Sequence, residues 1–177
     1  AALDFLSAHG RPPGAISFLI TGDEEGPATN GTRKVLDWMA AHGERPDHCL
    51  LGEPTNPQAL GETIKIGRRG SLSARLVITG TQGHVAYPDQ ANNPLRGLAQ
   101  VLNWLTELRL DDGTTHFAPS NVEVTTIDTG NAADNVIPAQ VTAKFNIRFN
   151  DAHTPDSLQD LIAGRIGEIL SGTGLAH

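Results

Sequence analysis

From Ser71 onward, one succession of patterns narrows the folds open to this chain more than any other feature. Leu72, Ala74, Leu76 and Ile78 alternate with Ser71, Ser73 and Arg75, the period of a half-buried strand. Asn93-Pro94 then opens a helix that runs to about Leu108, with Leu95, Leu98, Val101, Leu102 and Leu105 at helical spacing. Residues 121–129 and 140–149 alternate again, and Thr154-Pro155 starts a last amphipathic helix that ends at Leu170. The stretch from Gly130 to Pro138, between the two later strands, is too long for a tight hairpin turn. The order β-α-β-β-α predicts a small α+β domain of ferredoxin-like type over residues 70–177, one final strand short of the full motif.

The first 69 residues read differently. Residues 1–9 look like the last turns of a helix, with Leu3, Phe5 and Leu6 apolar and Gly10 as a stop. Ala15 to Ile20 is apolar and rich in β-formers, which predicts a buried strand. It runs straight into Thr21-Gly-Asp-Glu-Glu-Gly26. Three carboxylates at the end of a buried strand are expensive unless a cation binds there. A solvated acidic turn before a helix is the plainer alternative, since carboxylates suit a helix N-terminus. Thr32 to Ala41 then reads as a helix with Val35, Leu36, Trp38 and Met39 on one broad face, and His48 to Leu51 as a short strand ending in Gly52-Glu53-Pro54. Strand, acid, helix, strand, acid is a βαβ pattern. Parallel pairing would bring Glu53 beside Glu24 and Glu25 at the strand ends where α/β sheets bind ligands. Such a trio suits a hard or borderline divalent cation. Residues 1–69 are therefore expected to be part of an α/β metal-binding catalytic domain, with the basic stretch around Lys65, Arg68 and Arg69 crossing to the second domain.

Composition removes several classes. A formal net charge of −7 argues against nucleic acid or an anionic membrane as a partner. No apolar run approaches the ~20 residues that span a bilayer. Cys49 is the only cysteine, so no disulfide forms within the chain, and a reducing cytoplasm is the expected location. Both ends read as cut from something longer, because no start signal precedes the first helix and a strand is expected after Gly172.

Five stretches taken together carry a resemblance. They are Ile20-Thr-Gly-Asp-Glu-Glu-Gly26, Leu51-Gly-Glu-Pro-Thr55, Lys65-Ile-Gly-Arg-Arg-Gly-Ser71, Gln82-Gly-His-Val-Ala-Tyr-Pro88 and Asn135-Val-Ile-Pro138. In order and spacing the chain resembles the co-catalytic zinc aminoacylase and carboxypeptidase superfamily over nearly its whole length. The third and fourth stretches resemble the branch that removes succinyl groups from an N-succinylated diamino acid of lysine synthesis. Acetylornithine deacetylases are the sibling alternative. The resemblance implies a partial zinc-exopeptidase-like catalytic domain followed by a ferredoxin-like dimerisation lid. It also implies a small-molecule substrate, a homodimer through residues 70–177, and two zinc ions per active site, with cobalt possible. By the same resemblance Glu24 is the general acid/base, and Glu25 and Glu53 each hold a metal. His84 reaches the partner subunit's active site and steadies an oxyanion. Arg68, Ser71, Asn135 and Arg148 hold the substrate's carboxylates and succinyl group.

Elementary chemistry accords with these roles. Amide hydrolysis needs an activated water and a carboxylate to shuttle its proton. Neighbouring Glu24 and Glu25 can diverge in role because side chains alternate in extended backbone. Guanidinium forks match carboxylates, and an imidazole can stabilise a developing oxyanion. Plainer roles stand beside them: Asp23 as a turn residue, Arg69 as a solvated hinge, Arg148 as a surface residue, His116 without a function and Cys49 as a small core residue. The superfamily's metal site also takes a His-x-Asp pair and a later histidine. No His-x-Asp occurs here, so residues 1–177 alone are expected to be inactive. Asp134 stands where relatives often carry Asn or Thr. A non-catalytic pairing module built on residues 70–177 remains the contrasting reading.

Overall fold

The computed structural model describes residues 2–11, 13–52 and 55–177, and the chain forms two compact units, residues 1–57 and 58–177. The sequence pattern changes at residue 70; residues 58–69 cluster with the second unit.

In the first unit, helix α1 spans Ala2–His9 and helix α2 spans Thr32–Ala41. Gly10 follows α1 with φ +77°, the left-handed conformation that ends a helix at little cost when the residue has no Cβ. The two expected strands are not formed. Ala15 to Ile20 and His48 to Leu51 are irregular, with Ile20 90% and Leu50 98% exposed, and Cys49 is exposed rather than in a core. The apolar signal was sound, but a strand needs hydrogen-bonded neighbours and a layer to cover it. Among the described residues of this unit no strand is available to pair with either segment.

The second unit follows its pattern closely. Strand β1 is Gly70–Thr79, helix α3 Pro94–Glu107, strand β3 Asn121–Asp128, strand β5 Gln140–Phe149 and helix α4 Pro155–Leu170. Strand β5 lies between β1 and β3 and is antiparallel to both. Strands β1 and β3 thus run parallel, joined by α3 with a third strand inserted between them, as in a split βαβ unit. Two short strands, β2 at Gly83–His84 and β4 at Val136–Ile137, form a separate antiparallel pair. That pair lies partly within the 130–138 connection, which sequence periodicity leaves unstructured because two residues carry no period.

Burial explains why the elements hold. Val141, Ala143, Phe145 and Ile147 on alternate positions of β5 point into one core with Ile78 of β1. Leu98, Val101 and Leu105 of α3 and Leu158, Ile162, Ile166 and Leu170 of α4 cover them. Both helices start on defined caps. Asn93 Oδ1 accepts from Leu95 N at 3.0 Å ahead of Pro94. Thr154 Oγ1 accepts from Ser157 N at 3.1 Å, while Ser157 Oγ accepts from Thr154 N at 3.0 Å. The sheet has three strands. Along its outer edge β1 makes one further bridge, where Thr79 N donates to Ala176 O at 2.8 Å and Ala176 N donates to Thr79 O at 3.0 Å. An open apolar groove of about 470 Å³ runs between that edge and α4, lined by Leu72, Ala74, Leu76, Ile162 and Ile166.

Candidate functional site

The acidic turn of the first unit is built around Asp23. Its backbone sits at φ +78°, and its Oδ2 accepts from Thr29 N at 2.8 Å and Asn30 N at 3.1 Å. An aspartate tolerates this left-handed conformation when its carboxylate satisfies nearby amides, so Asp23 is the residue that shapes the turn. Glu24 and Glu25 follow it on the exposed turn. Glu53, the expected third carboxylate, lies outside the described residues. Among the described residues no three histidine, cysteine or carboxylate groups gather closely enough to hold a metal ion. The described residues do not fit a closed zinc centre, which needs about four ligands.

In the second unit the expected substrate-binding residues separate into two groups. The first lies at the start of β1. Ser71 and Arg148 are directly opposite in the β1–β5 register, and Asn121 of β3 faces Arg148 from the other side. All three are on the face away from the helices. Asn146 Nδ2 donates to Ser71 Oγ at 3.1 Å and to Ser73 Oγ at 3.0 Å, which fixes Ser71's rotamer. Arg148 and Arg68 line one open pocket of about 760 Å³ together with Lys65, Arg69, His116 and Phe117. Four always-charged or nearly always-charged cations around one concavity make a site for an anion.

Arg69 is not a loose hinge. Its Nη1 donates to Pro119 O at 3.1 Å and to Asn121 Oδ1 at 3.2 Å, tying the basic stretch to the loop before β3. That loop is itself pinned by Asp111, whose side chain is 13% exposed. Asp111 Oδ1 accepts from Gly113 N at 2.7 Å and Asn150 Nδ2 at 2.7 Å, and its Oδ2 faces His153 Nε2 at 3.1 Å. Burial pushes the Asp111 carboxyl up, but hydrogen bonds from Ser120, Gly113 and Asn150 outweigh it and hold the group well below the usual carboxylate range. Gly113, at φ +89°, has Phe117 O 2.9 Å from where a Cβ would stand, so the turn admits only glycine without rearrangement.

The second group lies past the other end of β1. His84 pairs with Val136 across β2 and β4, and Val85 N donates to Asn135 O at 3.1 Å. Asn135 thus lies opposite Val85, one position along the ladder from the His84–Val136 pair. Ala86 N donates to His84 Nδ1 at 3.1 Å, so in the neutral ring Nε2 carries the proton and can donate. Neither residue lines the basic pocket. From Ser71 in the first group to Thr79, short of the second, strand β1 rises about 26 Å at ~3.3 Å per residue.

Lys65, His116, which the sequence reading left without a function, and Phe117 also line the pocket. Lys65 was legible as part of a basic stretch. His116 and Phe117 carry no local mark, because only the Asp111 turn brings them back against residues 65–69.

Comparison with known proteins agrees with this architecture. The profile of the peptidase dimerisation domain of the M20 group matches residues 66–173. The chain is 63% identical over 165 residues to a succinyl-diaminopimelate desuccinylase of Rhodospirillum centenum, covering 93% of this chain and 43% of that protein. It is 59% identical over 170 residues to the enzyme of the same name from Afipia carboxidovorans, covering 96% and 44% respectively. The chain therefore spans somewhat under half the length of the curated relatives it matches. Among solved structures, hydantoinase/carbamoylase-family amidases of Burkholderia multivorans and Burkholderia vietnamiensis superpose with a TM-score of 0.51 at 20% identity, over 62% of this chain and 26% of theirs. Those two share its fold. With most of its length matched by the profile and the split βαβ sheet in place, this chain belongs to the M20 peptidase dimerisation-domain family.

Proposed function

We propose that residues 1–177 are a section of a succinyl-diaminopimelate desuccinylase, which hydrolyses the amide bond of N-succinyl-LL-2,6-diaminopimelate to succinate and LL-2,6-diaminopimelate. The observation that carries this reading is the basic pocket. A substrate with several carboxylates calls for several fixed cations, and Arg68 and Arg148 share one concavity with Lys65 beside Ser71. Arg148 presents its guanidinium from a strand, and Ser71, its rotamer fixed by Asn146, offers a hydroxyl on the same rung.

In this reading the parent enzyme works as a homodimer in the cytoplasm. The separation of the two residue groups favours a shared site: one chain contributes Arg68, Ser71 and Arg148, and the other contributes His84 and Asn135 across the dimer axis. His84 Nε2–H then donates to the oxygen on which charge develops as the amide carbonyl is attacked. Glu24 takes a proton from the attacking water and returns it to the leaving amine. Glu25 and Glu53 serve as metal ligands, for zinc or cobalt, with further ligands that residues 1–177 do not supply. A divalent ion there would lower the pKa of water towards neutrality. Residues 70–177 form the lid and pairing domain. A further strand, antiparallel to β1 and in continuation of the Thr79–Ala176 bridge, would close the apolar groove beside α4.

Two measurements on the longer protein test the reading. The first is a substrate panel: turnover of the succinyl substrate is expected, whereas turnover of acetylornithine alone would replace this activity with that of the sibling deacetylase. The second is complementation. His84→Ala and Arg148→Ala variants, each inactive, are mixed and allowed to exchange subunits. A shared site restores about a quarter of wild-type activity, because half the dimers carry one intact site of two. No recovery would place both residues in the same subunit's site. A pairing module without catalytic function predicts no activity in any arm.

A further inference from the structure

The loop between α3 and β3 is held far more firmly than a surface connection needs to be. Asp111 collects amides from both ends of it, Gly113 N at 2.7 Å and Ser120 N at 3.2 Å. Asn150, 3% exposed, donates its Nδ2 to Asp111 Oδ1 and to Ala118 O, and its backbone N to Ser120 Oγ. Within the loop, Thr114 N donates to Phe117 O at 2.9 Å and Phe117 N donates back to Thr114 Oγ1 at 3.2 Å. Leu110, the residue before Asp111, packs against the core, while the loop's outward side bears on the basic stretch in two places. The Phe117 ring lies over Gly67, with Cζ 3.0 Å from where a Cβ would stand. The Pro119 carbonyl accepts from Arg69.

We propose that Asp111 is a positioning residue for the basic pocket: it fixes the loop, and through Phe117 on Gly67 and Pro119 on Arg69 the loop sets where Arg68 stands relative to Arg148. The physical reason is that residues 65–69 have no regular structure of their own. Arg148 is placed by the sheet, but Arg68 sits on irregular backbone, and a two-point anion site needs a set spacing between its cations. Gly67 is the contact point because it alone leaves room for the ring. The inference rests on the reading of this pocket as a carboxylate site.

The test uses the 177-residue chain, with succinate as the probe and NMR as the readout. Side-chain Nε signals of Arg68 and Arg148 follow binding, and amide exchange follows local order. The wild type is expected to bind succinate with both signals shifting. Asp111→Asn and Phe117→Ala are expected to bind about tenfold more weakly and to exchange the amides of residues 65–69 faster, with β1 and β5 still protected. Gly67→Ala, which pushes on the ring, is expected to weaken binding similarly, and Gly67→Ala combined with Phe117→Leu to recover it to within about twofold. A purely structural loop would not give that recovery. Unchanged succinate affinity in Phe117→Ala and Gly67→Ala overturns the inference and leaves the carboxylate site standing. Failure of the wild type to shift either arginine overturns the carboxylate site itself. The inference is then judged on exchange alone, and unaltered exchange at residues 65–69 in Phe117→Ala overturns it too. Should Asp111→Asn not fold, the Gly67 and Phe117 variants carry the decision.

Discussion

Single residues divide into those that stabilise the second unit and those proposed above to bind an anion. Asp111 belongs to the first in its own right. Its folded pKa is depressed, so the unfolded chain binds its proton more readily than the folded chain does. The stabilisation is therefore fully present above the ordinary aspartate value near ~3.9 and is lost as pH falls below it towards the lower folded value. Thermal melts from pH 7 down to pH 3 are expected to show a falling midpoint in the wild type and a flatter curve in Asp111→Asn, which starts lower. Arg148 belongs to the second set. It is exposed on the outward face of β5, so Arg148→Ala is expected to change unfolding free energy by less than ~0.5 kcal/mol in urea titrations. The same change removes a charge from the pocket wall and is expected to abolish measurable succinate binding.

Among the secondary-structure elements, α4 contributes four fully or nearly buried apolar side chains to the core, Leu158, Ile162, Ile166 and Leu170. Leu158→Ala is expected to cost about 2–5 kcal/mol by chemical denaturation, since the side chain is fully buried and leaves a cavity. Thr154→Ala breaks the capping box and is expected to cost about 1 kcal/mol. These same elements were legible in the sequence. β1, α3, β5 and α4 announce themselves through alternation, helical spacing and the Asn-Pro and Thr-Pro starts, all local signals that the fold obeys. Helix α2 was equally plain from Thr32 to Ala41. The apolar segments Ala15 to Ile20 and His48 to Leu51 mislead because a buried strand is a property of its neighbours, and periodicity describes only the segment. The candidate site divides the same way. Arg68, Ser71, Arg148, His84 and Asn135 were named through the family resemblance of their stretches, and the way the fold divides them into two groups was not legible. The Phe117–Gly67 contact joins residues fifty positions apart through a glycine turn, and no local pattern reports it.

For the molecule as a whole, the acidic turn and the basic pocket are expected to behave differently when the chain is studied by itself. The described residues gather no metal cluster, so calorimetric titration of zinc into the 177-residue chain is expected to show no tight uptake of two equivalents. Uptake of two would overturn the reading that the centre needs ligands from outside residues 1–177. The second unit, by contrast, has its own core and is expected to melt cooperatively. The placement of β5 at the centre of the sheet also governs how that core comes into being. Among the strands of this three-stranded sheet, β1 pairs with β5, Gly70 meeting Phe149 and Thr79 meeting Gln140, so the sheet's first strand in sequence must wait for its last. On a ribosome, then, the α3 helix would emerge and coil long before it had a sheet to lie on, and refolding from denaturant should be paced by that late, distant closure rather than by helix formation.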